Sequence, residues 1–399
     1  MTMLAPKLAC CDDLGAHLAP LRAQARGWAG ELVDASARIE ATPEDVSSLL
    51  DHEAPRWLAT AGIPQDEGGR PLEVDGHRYE AGLAVEQVVV MEELARVNPA
   101  LVVASPGPSM AGVLVRQLGS RDQRRIFHDR LLAAPTWTFF ALTEPGQGSD
   151  ASSIQTAVER RPDGSLSICG TKRYIGNGAR ARLGVVFARS SAGPLGIGAY
   201  LVDAPAPGLR ARTLQTVGMR PVQLSELAFD RVIIDPDRLI GGHLPASRRG
   251  VRAFLGVFNQ LRPGVAALAL GIARGALAIA GEVDARPGAP AAEVREQWHA
   301  ECAATARLVH DAAADADLDG TGSLASMAKL RACWLAEQVT LDIADQLGPT
   351  ARTDVPALDV LIRAARGVEF MEGTRNVQLL TTFHRLVDTS GSRGERPPR

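Results

Sequence analysis

The hydrophobic period of this 399-residue chain changes twice, and the two changes restrict its architecture more than any single motif does. From Asp13 to about Phe139, apolar residues recur at three- and four-residue spacing, in Leu83, Val85, Val88, Val89, Met91 and Leu94 and again in Ala111, Val113, Leu114 and Leu118. That is the period of helices with one face in a core. Breakers at Gly62-Ile63-Pro64, Gly68-Gly69 and Asn98-Pro99 divide the region into several helices. Around Thr156 short alternating runs take over: Gln155 to Glu159, Ser165 to Cys169 and Gly184 to Ala188, with turn signals such as Arg161-Pro162-Asp163-Gly164 between them. Beyond Arg249 the helical period returns in four long stretches, 250–285, 291–317, 322–348 and 372–388, broken at Arg286-Pro287-Gly288, Asp319-Gly320 and Gly348-Pro349. The expected fold class is therefore α+β and multidomain: an N-terminal helical domain (1–139), a middle antiparallel β domain (140–245) and a C-terminal four-helix bundle (246–390). Residues 391–399, polar and proline-bearing, read as a frayed tail.

Composition narrows the partners. Forty-three basic against 46 acidic residues leave a net charge of -3, too balanced for nucleic acid or an anionic membrane as the main partner. Met1 to Cys11 lacks the apolar run with basic flank of an export signal, and no uninterrupted apolar run of about 20 residues follows, so a cytoplasmic location is expected. Of five cysteines, Cys10 and Cys11 are adjacent and Cys169, Cys302 and Cys333 stand singly, without metal-ligand spacing. The eight histidines are likewise dispersed, His299 and His310 lying in a helical-looking stretch. No metal site is expected.

Two separated segments carry the chemistry. In Ala141-Leu142-Thr143-Glu144-Pro145-Gly146-Gln147-Gly148-Ser149-Asp150, glycines permit close backbone approach to a ligand, and Ser149 and the N–H groups supply donors for phosphate or a planar heterocycle. The same residue types also make an ordinary turn. In Phe370-Met371-Glu372-Gly373-Thr374-Arg375-Asn376, Glu372 precedes an apolar-periodic stretch (Val377, Leu379, Leu380, Phe383, Leu386) and fits a helix start, where a carboxylate suits the dipole. It also fits a general base, because Val368, Phe370 and Met371 give an apolar setting that raises a carboxyl's pKa. Both alternatives stay open on the residues alone.

Further segments join these two in a fixed order. They are Gly62 to Gly69, Glu92-Glu93-Leu94-Ala95-Arg96, Gly119 to Gln123, Gly170 to Gly178, Val217-Gly218-Met219-Arg220, Phe229-Asp230-Arg231-Val232, Leu261-Arg262-Pro263 and Ala328-Lys329-Leu330. In this order the chain resembles the acyl-CoA dehydrogenases over nearly its whole length. The resemblance implies a helical domain, a β domain and a four-helix bundle, with FAD between the last two. It implies α,β-dehydrogenation of an acyl thioester to the 2-enoyl thioester, with Glu372 taking the α-proton and FAD the β-hydride. Some members carry the base at the position of Leu261, which cannot serve, so Glu372 is the candidate catalytic residue. The enolate-like charge on the thioester oxygen would be met by the Glu372 backbone N–H and a ribityl hydroxyl. The implied cofactor-binding residues are Phe140, Leu142, Thr143, Gly148, Ser149, Tyr174, Ile175, Gly176, Gln346, Gly348, Thr374 and Asn376; the implied substrate-binding residues are Ser149, Asn259, Arg262 and Gly373.

The chain departs from the family pattern at four places. Gly176 stands where a Thr hydroxyl usually meets flavin N5, and Asn259 where many CoA-using members have Asp. The segment Asp284 to Pro290 lacks the Arg-x-x-Phe-Gly that reaches a neighbouring subunit's FAD, and Pro349 interrupts the glycine-rich adenosine loop after Gln346 and Gly348. The resemblance also implies a homodimer or homotetramer, an acyl-CoA or acyl-carrier-protein thioester as substrate and an electron-transfer flavoprotein or other acceptor, in a role that extends to biosynthesis. Two alternatives remain: a flavin-dependent monooxygenase or oxidase on the same fold, whose members generally lack the Glu, and a degenerate non-catalytic homologue.

Overall fold

The computed structural model describes residues 11–146, 148–283, 292–318 and 320–391, so Asp284 to Pro290 and all of the expected tail but Gly391 lie outside the described residues. The N-terminal region is helical: α1 (Cys11–Glu31), α2 (Val33–Ala41), α3 (Glu53–Leu58), α4 (Ala84–Ala95), α5 (Ala100–Val103), α6 (Ser109–Leu118) and α7 (Arg121–Ala133). Between α3 and α4 it also holds a small antiparallel hairpin, β1 (Leu72–Val74) and β2 (His77–Tyr79). Its turn is Asp75-Gly76, with both φ angles positive, a two-residue hairpin signal that the helical period around it masks. α7 opens on a capping box, Ser120 accepting from Gln123 N–H while the Gln123 side chain accepts from Ser120 N–H.

The middle region folds into a seven-stranded sheet of β3 (Thr138–Ala141), β4 (Ala157–Arg160), β5 (Leu166–Ile175), β6 (Leu183–Arg189), β7 (Ile197–Asp203), β8 (Leu209–Thr213) and β9 (Ser225–Ile234). The order is β3-β6-β4-β5-β9-β8, with β7 also on β6. Pairing is antiparallel except that β3 and β4 run parallel to β6. β6 and β7 are buried on both faces apart from their last residues, which explains their unbroken apolar sequences. β9 instead buries Ser225, Leu227 and Phe229 and turns Glu226, Ala228 and Asp230 outward.

The C-terminal region holds α8 (Val251–Glu282), α9 (Ala292–Asp317), α10 (Ser323–Leu347), the short α11 (Ala351–Asp354), α12 (Pro356–Glu369) and α13 (Arg375–Gly391). α12 fills the stretch between the last two helices expected from periodicity, and Pro356 is its first residue, where a missing N–H costs nothing. By length and composition the stretch Ala246–Glu282 could cross a membrane, but most of it is buried inside the protein, as in a core helix.

The chain divides into two compact units. One comprises residues 1–18, 84–99 and 259–399; the other comprises 19–83 and 100–258 and contains the sheet. In the first unit, α8 lies tight against the α4 segment. A Cβ added at Gly271 would lie 2.3 Å from the Glu92 carbonyl oxygen, so only glycine permits this approach. The Arg274 guanidinium meets the buried Glu92 carboxylate across the same seam.

Candidate active site

In the sheet-containing unit, β3 delivers the chain to Thr143 and Glu144. The Glu144 carboxylate is buried and accepts from Lys172 Nζ (2.9 Å), Gln155 N–H (2.7 Å), Thr156 N–H (2.8 Å) and the Thr156 hydroxyl (2.6 Å). Lys172 Nζ also donates to the Leu142 carbonyl at 2.9 Å, and Arg173 N–H to the Thr143 carbonyl at 2.8 Å. These donors fix the loop's first residues to β5 and to the start of β4. Burial pushes the Glu144 carboxyl up, but the Lys172 charge and the Thr156 and Gln155 hydrogen bonds outweigh it and hold it below its ordinary value. Burial brings Lys172 down to about 8 against the pull of Glu144. At neutral pH the two form a charged pair.

Beyond this anchor the loop is open. Gly148 and Ser149 are exposed, and an added Cβ at Gly146 or Gly148 would meet nothing within 4 Å. Asp150 turns back to cap the short 3₁₀ turn Ala151–Ser153 through Ser152 N–H (3.2 Å) and the Ser152 hydroxyl (2.6 Å). On β5, Tyr174 has a φ of 63° and is 57% exposed, with the Arg173 guanidinium 5.4 Å from its ring centroid. Ile175 is buried. At Gly176 an added Cβ would meet only Val222 Cγ1, at 3.4 Å, so the backbone does not demand glycine there. Phe140 contributes its ring to a different task, packing 5.0 Å from Phe187 and 6.3 Å from Phe258.

These residues fit FAD. An exposed aromatic ring held out by a left-handed backbone, beside a glycine loop with open space at two Cα positions, suits a flat heterocycle with a diphosphate.

In the other unit, Glu372 lies in the turn between α12 and α13, with φ of 53°, and Gly373 follows at 103°. α13 begins only at Arg375, whose N–H the Glu369 carboxylate caps at 2.6 Å, so Glu372 precedes the helix rather than starting it. Three buried side chains hold the turn. Arg262 Nε donates to the Glu372 carbonyl at 3.2 Å; Gln378 Nε2 donates to the Glu372 and Gly373 carbonyls, both at 3.1 Å; and Lys329 Nζ donates to the Glu369 carbonyl at 2.9 Å and to that of Gly373. The positive φ favours glycine at 373, and a Cβ there, 2.7 Å from Gln378 Nε2, would displace the amide that holds the turn. Arg262 is itself oriented by Asn259 Oδ1 at 3.2 Å and Ser326 Oγ at 3.5 Å. The Asn259 amide occupies the volume a side chain at Gly322 would take, 2.3 Å from that added Cβ to Asn259 Cγ.

Glu372 as a whole is half-buried, yet its Oε2 is fully buried with no hydrogen-bond partner. Burial pushes its carboxyl up to about 8, against the opposing charges of Arg262 and Lys329. Burial also lowers Lys329. A carboxyl raised into the neutral range, unpaired and set on a strained turn, has the properties of a general base.

The structure therefore brings Glu372, Gly373, Arg262 and Asn259 into one cluster and adds Ser326, Lys329 and Gln378. Sequence reasoning assigned no role to these last three, because Ser326 and Lys329 arrive from a helix distant in sequence, and Gln378, although only six residues from Glu372, is an ordinary polar residue of the next helix. Thr374 and Asn376 adjoin the cluster, the Thr374 carbonyl accepting from Gln378 N–H at 3.0 Å and Asn376 exposed on the first turn of α13. Gln346 and Gly348 do not join it. They sit at the far end of α10, about 26 Å along the helix from Lys329 at 1.5 Å per residue. Gly348 closes that helix with φ of 91°. Among the described residues no cluster of His, Cys, Asp or Glu could hold a metal.

Comparison with known proteins bears on the fold and the family. The middle-domain model of the acyl-CoA dehydrogenases matches residues 139–232, and the C-terminal-domain model matches residues 248–387. The chain is 30% identical to the cyclohexane-1-carbonyl-CoA dehydrogenase of Geobacter metallireducens, over 89% of this chain and 93% of that protein. It is 28% identical to the short-chain-specific acyl-CoA dehydrogenase of Megasphaera elsdenii, over 87% of this chain and 92% of that one. Among solved structures, the butyryl-CoA dehydrogenase from Megasphaera elsdenii is similar with a TM-score of 0.76 at 24% identity, covering 92% of this chain and 98% of that chain. The prolyl acyl carrier protein oxidase AnaB is similar in fold with a TM-score of 0.77 at 18% identity, covering 92% and 98%.

Proposed function

The chain belongs to the acyl-CoA dehydrogenase family, and from that premise we propose that Glu372 is the base that takes the α-proton of its acyl-thioester substrate. The family is one of FAD-dependent oxidoreductases acting on CH–CH bonds of acyl thioesters. FAD, when bound, supplies the acceptor for the β-hydride. The observation that carries the reading is the buried, partnerless Oε2 of Glu372, on a turn clamped by Arg262, Lys329 and Gln378. Deprotonated, this carboxylate is a stronger base than an exposed one, because its burial disfavours the charge it gives up on taking the proton. The clamp acts on carbonyls and leaves the carboxylate unengaged, so the side chain is positioned without being neutralised. The Glu372 N–H is the donor for the charge that develops on the thioester oxygen. Thr143, Gly148, Ser149, Tyr174 and Ile175 would hold the flavin end of the cofactor, with Phe140 and Leu142 contributing backbone, and Gln346, Gly348, Thr374 and Asn376 would serve its adenosine half.

Glu372→Gln is expected to purify yellow, with FAD bound, and to lose the anaerobic bleaching of the flavin by substrate. Bleaching at close to the wild-type rate would mean that another residue is the base. The wild-type rate of bleaching should rise with pH and level off above about 8, since only the deprotonated carboxylate accepts a proton.

A further inference from the structure

No Asp or Glu occurs between Asp237 and Glu282, and this acid-free stretch holds Arg248, Arg249 and Arg252 within five residues. The three straddle the start of α8, in the sheet-containing unit. Arg248 and Arg252 are exposed, and neither side chain makes a hydrogen bond or ion pair among the described residues. Their 3₁₀ turn, Ala246–Arg248, packs against Pro194–Gly196, the turn that joins β6 to β7, and that turn carries no acid either. Its Leu195 is 66% exposed. Leu255, three residues beyond Arg252 on the same side of α8, is 44% exposed.

We propose that this face is a docking surface for an acidic carrier protein, which presents the acyl thioester on its phosphopantetheine arm. The inference rests on the acyl-thioester reading above and names the partner that bears the thioester. The phosphates of free CoA would require the arginines alone. Exposed leucines set among unpaired arginines instead match a folded partner with an apolar residue surrounded by carboxylates, where burial supplies affinity and charge supplies orientation and encounter rate.

The test is a charge-reversal double variant, Arg248→Glu with Arg252→Glu, on the FAD-loaded enzyme. Calorimetric titration with an acidic holo acyl carrier protein should show a dissociation constant raised by about tenfold or more over wild type, as expected for reversed charges at an interface. Wild-type binding should weaken as salt is raised. Anaerobic flavin bleaching by the acyl-carrier thioester should need correspondingly higher concentrations in the variant, while bleaching by the S-acyl pantetheine fragment stays unchanged. Equal carrier affinity in the two proteins, or no carrier binding by wild type at low salt, overturns the proposal. So does a variant that loses acyl-CoA but keeps the carrier, which would assign the arginines to CoA phosphates. Should acyl pantetheine fail to bleach the wild-type flavin, the dehydrogenation reading falls while the calorimetry still decides the docking face.

Discussion

At the scale of single residues the decisive tension is at Glu372. Its folded pKa stands above the value of an unfolded glutamate, so its contribution to stability is complete below about 4.5 and is lost as pH rises towards about 8. Glu372→Gln carries no such charge. The variant's melting temperature should therefore gain on wild type as pH is raised from about 5 to about 9, and parallel melting curves for the two proteins would show that the carboxyl is not buried. Sequence alone located Glu372 and supplied its apolar neighbours, but read it as a helix start or a base without deciding. The left-handed backbone takes Glu372 out of the helix that follows, and that conformation depends on Gln378 and Lys329, which reach the turn from the first turn of α13 and from α10. A side chain that works by touching a carbonyl leaves little local signal, since any helix supplies Gln and Lys at such positions.

At the scale of elements, the loop that follows β3 is anchored by the buried Lys172–Glu144 pair. Lys172→Met would leave the Glu144 carboxylate with its N–H and hydroxyl donors but without a cation, and would free the Leu142 carbonyl. Breaking a buried pair on one side typically costs about 3–5 kcal/mol. Urea unfolding should show a loss of that order with weakened FAD retention, whereas a loss under about 1 kcal/mol, the range of surface pairs, would remove the pair from this role. The elements themselves were largely legible: β4, β5 and β6 fall on the alternating runs, and α8, α9 and α10 on the long helical stretches. α12 was missed because the Gly348-Pro349 break comes just before Pro356 and hides a second helix start, and the β1–β2 hairpin because three-residue strands hardly interrupt a helical period.

At the scale of the molecule, the order of helical, β and helical regions could be read from periodicity, while the division into compact units could not. α4 precedes the sheet in sequence but belongs to the unit that holds the C-terminal helices, a long-range choice made at Gly271 and Glu92 rather than in any local pattern. FAD that binds only the folded chain should raise the melting temperature with increasing free concentration, by linkage of about 2.7 kcal/mol at a hundredfold excess over its dissociation constant. Thermal scans of apoprotein against added FAD measure this, and a melting temperature indifferent to FAD would favour the degenerate scaffold. The contact between Asn259 and Gly322 has a further consequence, for the history of the family. A side chain at Gly322 would push the Asn259 amide from its place and from its bond to Arg262, so a change at the first position favours a change at the second. Relatives with a bulkier residue at the position of Gly322 should carry a shorter side chain, or a shifted helix, at that of Asn259, a correlated pair that an alignment can reveal.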